Sequence, residues 1–174
     1  MIPLQYTWLT NEKAPKILVE AMSHYGTMET PGHADNPIIL QWAKELGIKA
    51  YRHDEIAWCG LFMAHVVHAC GYAPPKAPLW ALNWEGFGDE QQVAMLGDIL
   101  TFVRPSGGHV GIYVGEDADA YHVLGGNQSD MVCIKRVAKA RLHSISRCHW
   151  AIGQPANVRK IILQPAGSMS TNEA

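Results

Sequence analysis

Two residues fifty positions apart, Cys59 and His109, each occupy a place in the chain where a side chain can do chemistry. Cys59 opens the run Cys59-Gly60-Leu61-Phe62-Met63-Ala64-His65-Val66-Val67, which is apolar on every side of a helix from Leu61 to Val67 except at His65. Such a segment is a helix buried in the middle of a domain. A cysteine in its first turn feels the free amides and the positive end of the helix dipole, which favour thiolate, the form that attacks carbonyls. On its own, a cysteine in a core helix is simply a small buried residue. The second element changes that balance. His109 begins His109-Val110-Gly111-Ile112-Tyr113-Val114, a short β-branched and aromatic run that reads as a strand. Amide hydrolysis by a thiolate needs a base, a group that orients the base and donors for the oxyanion. Cys59 supplies the nucleophile, His109 the base and later the acid, and the Cys59 backbone amide one oxyanion donor.

Other chemistries fit less well. His65 and His68 lie three apart on one helix with Cys70 nearby, yet a metalloprotease helix carries His-Glu-x-x-His where this chain has His-Val-Val-His. Those histidines are assigned to the helix end and its dipole, and no metal or cofactor is expected. The sequence has no phosphate-binding loop and no dinucleotide fingerprint.

The elements that must position Cys59 and His109 follow from the pattern. Residues 1–14 read as an extended lead-in. A first helix starts at Pro15 and ends before Gly26, and a second runs from Pro37 to Leu46 with Ile38, Ile39, Trp42, Ala43 and Leu46 inward. Asp54 is expected to cap the Cys59 helix, and Gly71 to end it. Among the aromatics that follow, Trp80 is assigned to the core and Trp84 to the wall of a cleft. From Gly97 the period switches to strands over Asp98–Val103, His109–Val114, Ala120–Leu124, Met131–Val137 and Ser144–Ile152, with an edge strand at Val158–Leu163. Helices first and consecutive short strands afterwards describe an α+β domain with an antiparallel sheet of five to six strands. One catalytic domain spans 15–163, and the tail 164–174 has too little apolar content to order itself.

Composition narrows the function. The chain has 174 residues, enough for one domain with a real core, and 14 Lys plus Arg against 16 Asp plus Glu give a net charge of −2. Without a basic block, no nucleic-acid partner is expected. No secretory signal and no membrane-spanning run are read in it, so the expectation is a soluble protein, cytoplasmic as synthesised. Cys59 and Cys70, on one helix, would stand about 16 Å apart and cannot pair. Cys133 and Cys148 fall in predicted strands, where a cross-strand bridge stays open, but without an export signal free buried thiols are the expectation.

Four blocks in this order carry a resemblance: Trp58-Cys59 through Val67, Gly97-Asp98-Ile99, His109-Val110-Gly111 and Leu124-Gly125-Gly126-Asn127-Gln128. With Glu29-Thr30-Pro31-Gly32 and Asn36-Pro37-Ile38-Ile39 upstream, the chain over roughly residues 15 to 152 resembles the CHAP and NlpC-type peptidoglycan hydrolases, especially a small phage-endolysin-like family. The resemblance implies a papain-like arrangement in which the cysteine helix packs on the sheet and aims its start at the histidine strand. It implies a bacteriolytic cysteine amidase or endopeptidase that acts on the cell wall as a monomer, delivered by a holin, a virion or a secretion machine. It also implies a third catalytic residue. Asn127 lies where CHAP-like members place a polar one, and the glycines before it mark a backbone that passes close to something. His122, thirteen past His109, is the NlpC-type competitor. Two other functions stay open: a catalytically silent wall-binding or virion structural module, and a Cys/His peptidase acting on another amide.

Overall fold

The computed structural model describes residues 1–32, 34–105, 107–151 and 153–170. Three α-helices precede the sheet: α1 (Lys16–Ser23), α2 (Pro37–Glu45) and α3 (Cys59–Ala69). Each begins and ends for a local reason. Pro15 precedes α1, and Asn36 caps α2 by accepting the Ile38 amide at 2.8 Å, with Pro37 in the first turn. Gly71, in the left-handed region at φ 87°, closes α3 while its amide donates to the His68 carbonyl. Leu61, Phe62, Met63, Ala64, Val66 and Val67 of α3 are all fully buried. At about 1.5–3 kcal/mol for each large apolar side chain taken from water, this helix anchors the main core.

Six strands follow: β1 (Asp89–Glu90), β2 (Ile99–Arg104), β3 (Gly107–Glu116), β4 (Ala120–Gly125), β5 (Cys133–Ala138) and β6 (Leu142–Arg147). They form one antiparallel sheet in the order β1-β6-β2-β3-β4-β5, so the fold is α+β as the pattern predicts. The helices cover one face, where Ile99, Val110, Ile112, Val114 and Leu124 meet α3 and its neighbours. Leu100, Phe102, Tyr113, Val123, Val137 and Ile145 form a second core on the other face. Asp98, at the foot of β2, receives Arg147 of β6 through Nε and Nη2, both at 2.7 Å, and fixes the sheet centre. Burial pushes the Asp98 carboxyl up, against the pull of that guanidinium.

Several expectations differ from the structure. The lead-in is not extended: Leu4–Thr10 is a 3-10 segment that buries Tyr6 and Leu9. The last predicted strand runs Leu142–Arg147, earlier than expected, and Ile152 lies outside the described residues. Val158–Leu163 makes only an isolated parallel bridge, Ile162 to Glu116. The tail through Ser170 is placed by backbone contacts, since Met169 bridges to Arg136 and the Ser170 amide donates to the Arg136 carbonyl at 2.8 Å. Residues 171–174 lie outside the described residues. Cys59, Cys70, Cys133 and Cys148 are all free and buried. Among the described residues no helix is long and apolar enough to cross a membrane.

Candidate active site

Cys59 is the first residue of α3 and is 4 % exposed. Its sulfur is reached by the backbone amides of Val110, Gly60 and Cys59 itself, and by the charge of Arg104. The Val110 contact matters most for placement. Strand β4 pairs with β3 only from Ile112 onward, so the Val110 amide lies past the end of that ladder and meets the thiol. Val110 is the residue after His109, so α3 aims its first residue at the start of β3. Gly60 lets the Pro78–Leu79 backbone lie against the start of α3: a Cβ there would stand 2.2 Å from the Pro78 carbonyl oxygen.

His109 is fully buried, with its ring stacked on Phe102 at a centroid distance of 6.4 Å. Its Nε2 lies 3.1 Å from Gln128 Oε1. The Gln128 amide nitrogen donates to the carbonyls of Val123, Gly125 and Cys133, which fixes Oε1 as the acceptor facing the ring. The hydrogen of a neutral His109 therefore sits on Nε2, and Nδ1 is the basic nitrogen.

The expected contact from Asn127 to the imidazole is not made. Asn127 stands in the left-handed region at φ 55°, and with its amide oriented to suit its neighbours the side-chain nitrogen donates to Glu29 Oε1 at 3.1 Å and the oxygen accepts the Trp58 backbone amide at 3.3 Å. Trp58 is the N-cap of α3, and its indole donates to the same Glu29 Oε1 at 2.6 Å. Asn127 thus holds the start of the cysteine helix, while its neighbour Gln128 holds the histidine. Burial pushes the Glu29 carboxyl up, opposed by the Trp58 indole. The paired glycines have the close approaches expected of them. A Cβ on Gly126 would lie 2.7 Å from Phe62 and Trp58 side-chain carbons, and one on Gly125 would lie 3.2 Å from His109 Nε2.

His122 belongs to a different cluster. Its Nδ1 meets the Tyr6 hydroxyl at 2.7 Å and its Nε2 meets Asp117 Oδ2 at 2.8 Å, with Arg136 Nε on the same oxygen at 2.7 Å. Burial holds His122 toward its neutral form, and Arg136 keeps the Asp117 carboxyl well below the ordinary carboxylate range. This network ties the 3-10 segment at the N-terminus to β4 and β5.

Three further expectations are corrected. Asp54 does not cap α3: its Oδ2 accepts the amides of Thr30 at 3.0 Å and Asn36 at 2.7 Å, so it ties down the loop ahead of α2. The two tryptophans exchange roles, with Trp84 fully buried and Trp80 72 % exposed. Trp84 donates its indole N–H to the Pro78 carbonyl at 2.9 Å, which fixes the segment that carries Trp80 beside Gly60. Finally, the helix-start amides pull the Cys59 thiol down but do not set its net direction. Burial pushes the thiol up, and this outweighs the Val110 amide and the Arg104 charge.

The arrangement defines an α+β protein with a buried cysteine at a helix start and a buried histidine near a strand start, and two consecutive turn residues hold them, Asn127 through Trp58 and Gln128 directly. Compared with known proteins, the chain matches no protein-family model and no curated protein.

Proposed function

We propose that the chain is a cysteine amidohydrolase or endopeptidase that cuts an amide bond of the peptidoglycan peptide, with a papain-like arrangement of the CHAP/NlpC type. The observation that carries this reading is the Gln128 hydrogen bond that fixes the His109 tautomer, at the strand start whose next amide meets the Cys59 sulfur. In this mechanism His109 Nδ1 takes the thiol proton and Cys59 Sγ attacks the carbonyl carbon. The Cys59 amide, at the free end of α3, stabilises the oxyanion. His109 then protonates the leaving amine, and water, deprotonated by the same imidazole, hydrolyses the thioester to acid and free thiol. Asn127 serves as a positioning residue for the helix and Gln128 for the imidazole. The exposed Trp80 ring, two residues past Pro78, offers an apolar face to the substrate.

One observation favours a second reading, the catalytically silent module: Cys59 is buried and its thiol is pushed up. Digestion of purified peptidoglycan, with mass spectrometry of the released fragments, separates the two. The expected result is one newly exposed amine, lost in Cys59→Ala. No release by the wild-type chain would leave the silent module, and release from a non-wall amide alone would change the substrate.

A further inference from the structure

A second group of chemistry-bearing side chains lies within the helical layer. His65 is six residues past Cys59, about 9 Å along α3. Its Nε2 faces Nε2 of His24, the C-cap of α1, at 3.2 Å, and His24 Nε2 lies 3.2 Å from Glu20 Oε1. The three ligand atoms all fall within 4.8 Å of one another. Both rings are locked. His65 stacks on Trp42 at 5.1 Å and 19°, and His24 meets Trp42 edge-on at 5.2 Å.

The hydrogen positions follow from the partners. Glu45 Oε2 lies 3.4 Å from His65 Nδ1, a charge contact that favours the proton on Nδ1 and leaves the Nε2 lone pair for His24. His24 Nε2 then faces two acceptors, Glu20 Oε1 and His65 Nε2, and its one hydrogen is shared between them. A zinc-type ion bound at about 2.0–2.1 Å by two nitrogens in tetrahedral geometry holds them about 3.3 Å apart, close to the spacing seen here. A carboxylate near the far nitrogen of a ligating histidine is a common outer support of such a site, and Glu45 Oε2 stands 3.4 Å from His65 Nδ1.

We propose that Glu20, His24 and His65 bind one zinc-type divalent ion, clamping the end of α1 to α3. On binding, the His24 hydrogen moves from Nε2 to Nδ1 through solvent, so a neutral His24 releases no proton. The side chains are partly exposed, Glu20 34 %, His24 20 % and His65 13 %, which leaves the ion a path from solvent. The site is independent of the proposed hydrolase chemistry. It is also distinct from the His65, His68 and Cys70 grouping that the sequence suggests, since His68 is exposed in the last turn of α3.

The test is titration of the full chain, with its thiols reduced, by Zn²⁺ alone. Calorimetry is run beside quenching of tryptophan fluorescence by Co²⁺, because Trp42 stacks on a proposed ligand. One saturable equivalent is expected, reversed by a chelator, retained in Cys59→Ala, weakened about tenfold or more in Glu45→Gln, and lost in His24→Asn and His65→Asn. The melting temperature should rise with Zn²⁺ in the wild type and stay fixed in His65→Asn. No saturable binding up to millimolar Zn²⁺, or equal affinity in wild type and His65→Asn, overturns the proposal. If either histidine variant fails to fold by circular dichroism, Glu20→Gln decides: an unchanged affinity overturns the site, and a loss of tenfold or more supports it.

Discussion

Gln128 Oε1 accepts from His109 Nε2 at 3.1 Å, and three backbone carbonyls hold the other end of the same amide. The imidazole therefore has one neutral tautomer enforced by the β4-β5 turn. If His109 is the base, Gln128→Ala should lower peptidoglycan turnover by about 10²–10⁴-fold, the range for losing the group that fixes a catalytic tautomer. Gln128→Glu keeps an acceptor for the ring but faces carbonyls without donors. It should retain more activity per folded molecule while losing stability. Equal activity of both variants, normalised to folded fraction, would remove the orienting role.

Asn127→Ala should act through the helix rather than the base. It strips a partner from the Trp58 amide and from the half-buried Glu29, a loss of about 1–3 kcal/mol. Chemical denaturation should show that loss. The pH dependence of any remaining activity should match the wild type, because His109 keeps Gln128.

Cys59→Ala should abolish turnover and leave the fold intact, since one sulfur at a helix start contributes little packing beside its role as nucleophile. The free thiol should not be a fast-reacting thiolate at mildly acidic pH. Burial raises its pKa, so the ionised fraction grows only as pH climbs past the ordinary thiol range near 8.5. Iodoacetamide should label Cys59 more slowly than an exposed control thiol at pH 6. Removing the nearby charge in Arg104→Ala should slow labelling at pH values below the thiol pKa, because that cation lowers it. Peptide mapping after brief exposure checks both.

Acid stability should depend on Asp117. Its folded pKa is held far below the ordinary carboxylate value by Arg136, so the stability it contributes is complete above about pH 4 and falls as pH drops from there toward the folded pKa. Asp117→Asn should cost about 3–5 kcal/mol near neutrality, by leaving Arg136 and His122 without their charged partner. Its denaturation midpoint should then change less than the wild-type midpoint between pH 5 and pH 3.

Trp80→Ala tests the substrate face. The ring is 72 % exposed, so its loss should leave the melting temperature within about 1 °C, consistent with the small effects of surface changes. If the ring holds substrate in both ground and transition states, KM on soluble wall fragments should rise with kcat little changed.

The amino-acid sequence by itself determined the elements built on periodicity. An all-round apolar helix is buried and alternating β-branched runs joined by turn residues pair, so α3 and the four strands between Ile99 and Ala138 were legible. The order of Cys59 and His109 was legible too, as was the close approach at Gly125 and Gly126. Tertiary structure decided which side chain faces which. Consecutive side chains diverge in a turn, and the positive φ of Asn127 sends its amide to Trp58 and Glu29 while Gln128 meets the ring. Trp80 and Trp84 have the same chemistry, and only the packed structure, with Trp84 against Phe87 and bonded to the Pro78 carbonyl, separates the buried one from the exposed one. The burial of Cys59 was legible in its helix, but the balance in which burial outweighs the amides at the helix start was decided by the packing around the sulfur. His24 and His65 meet across 41 positions because α1 and α3 pack side by side, a contact that no local pattern encodes.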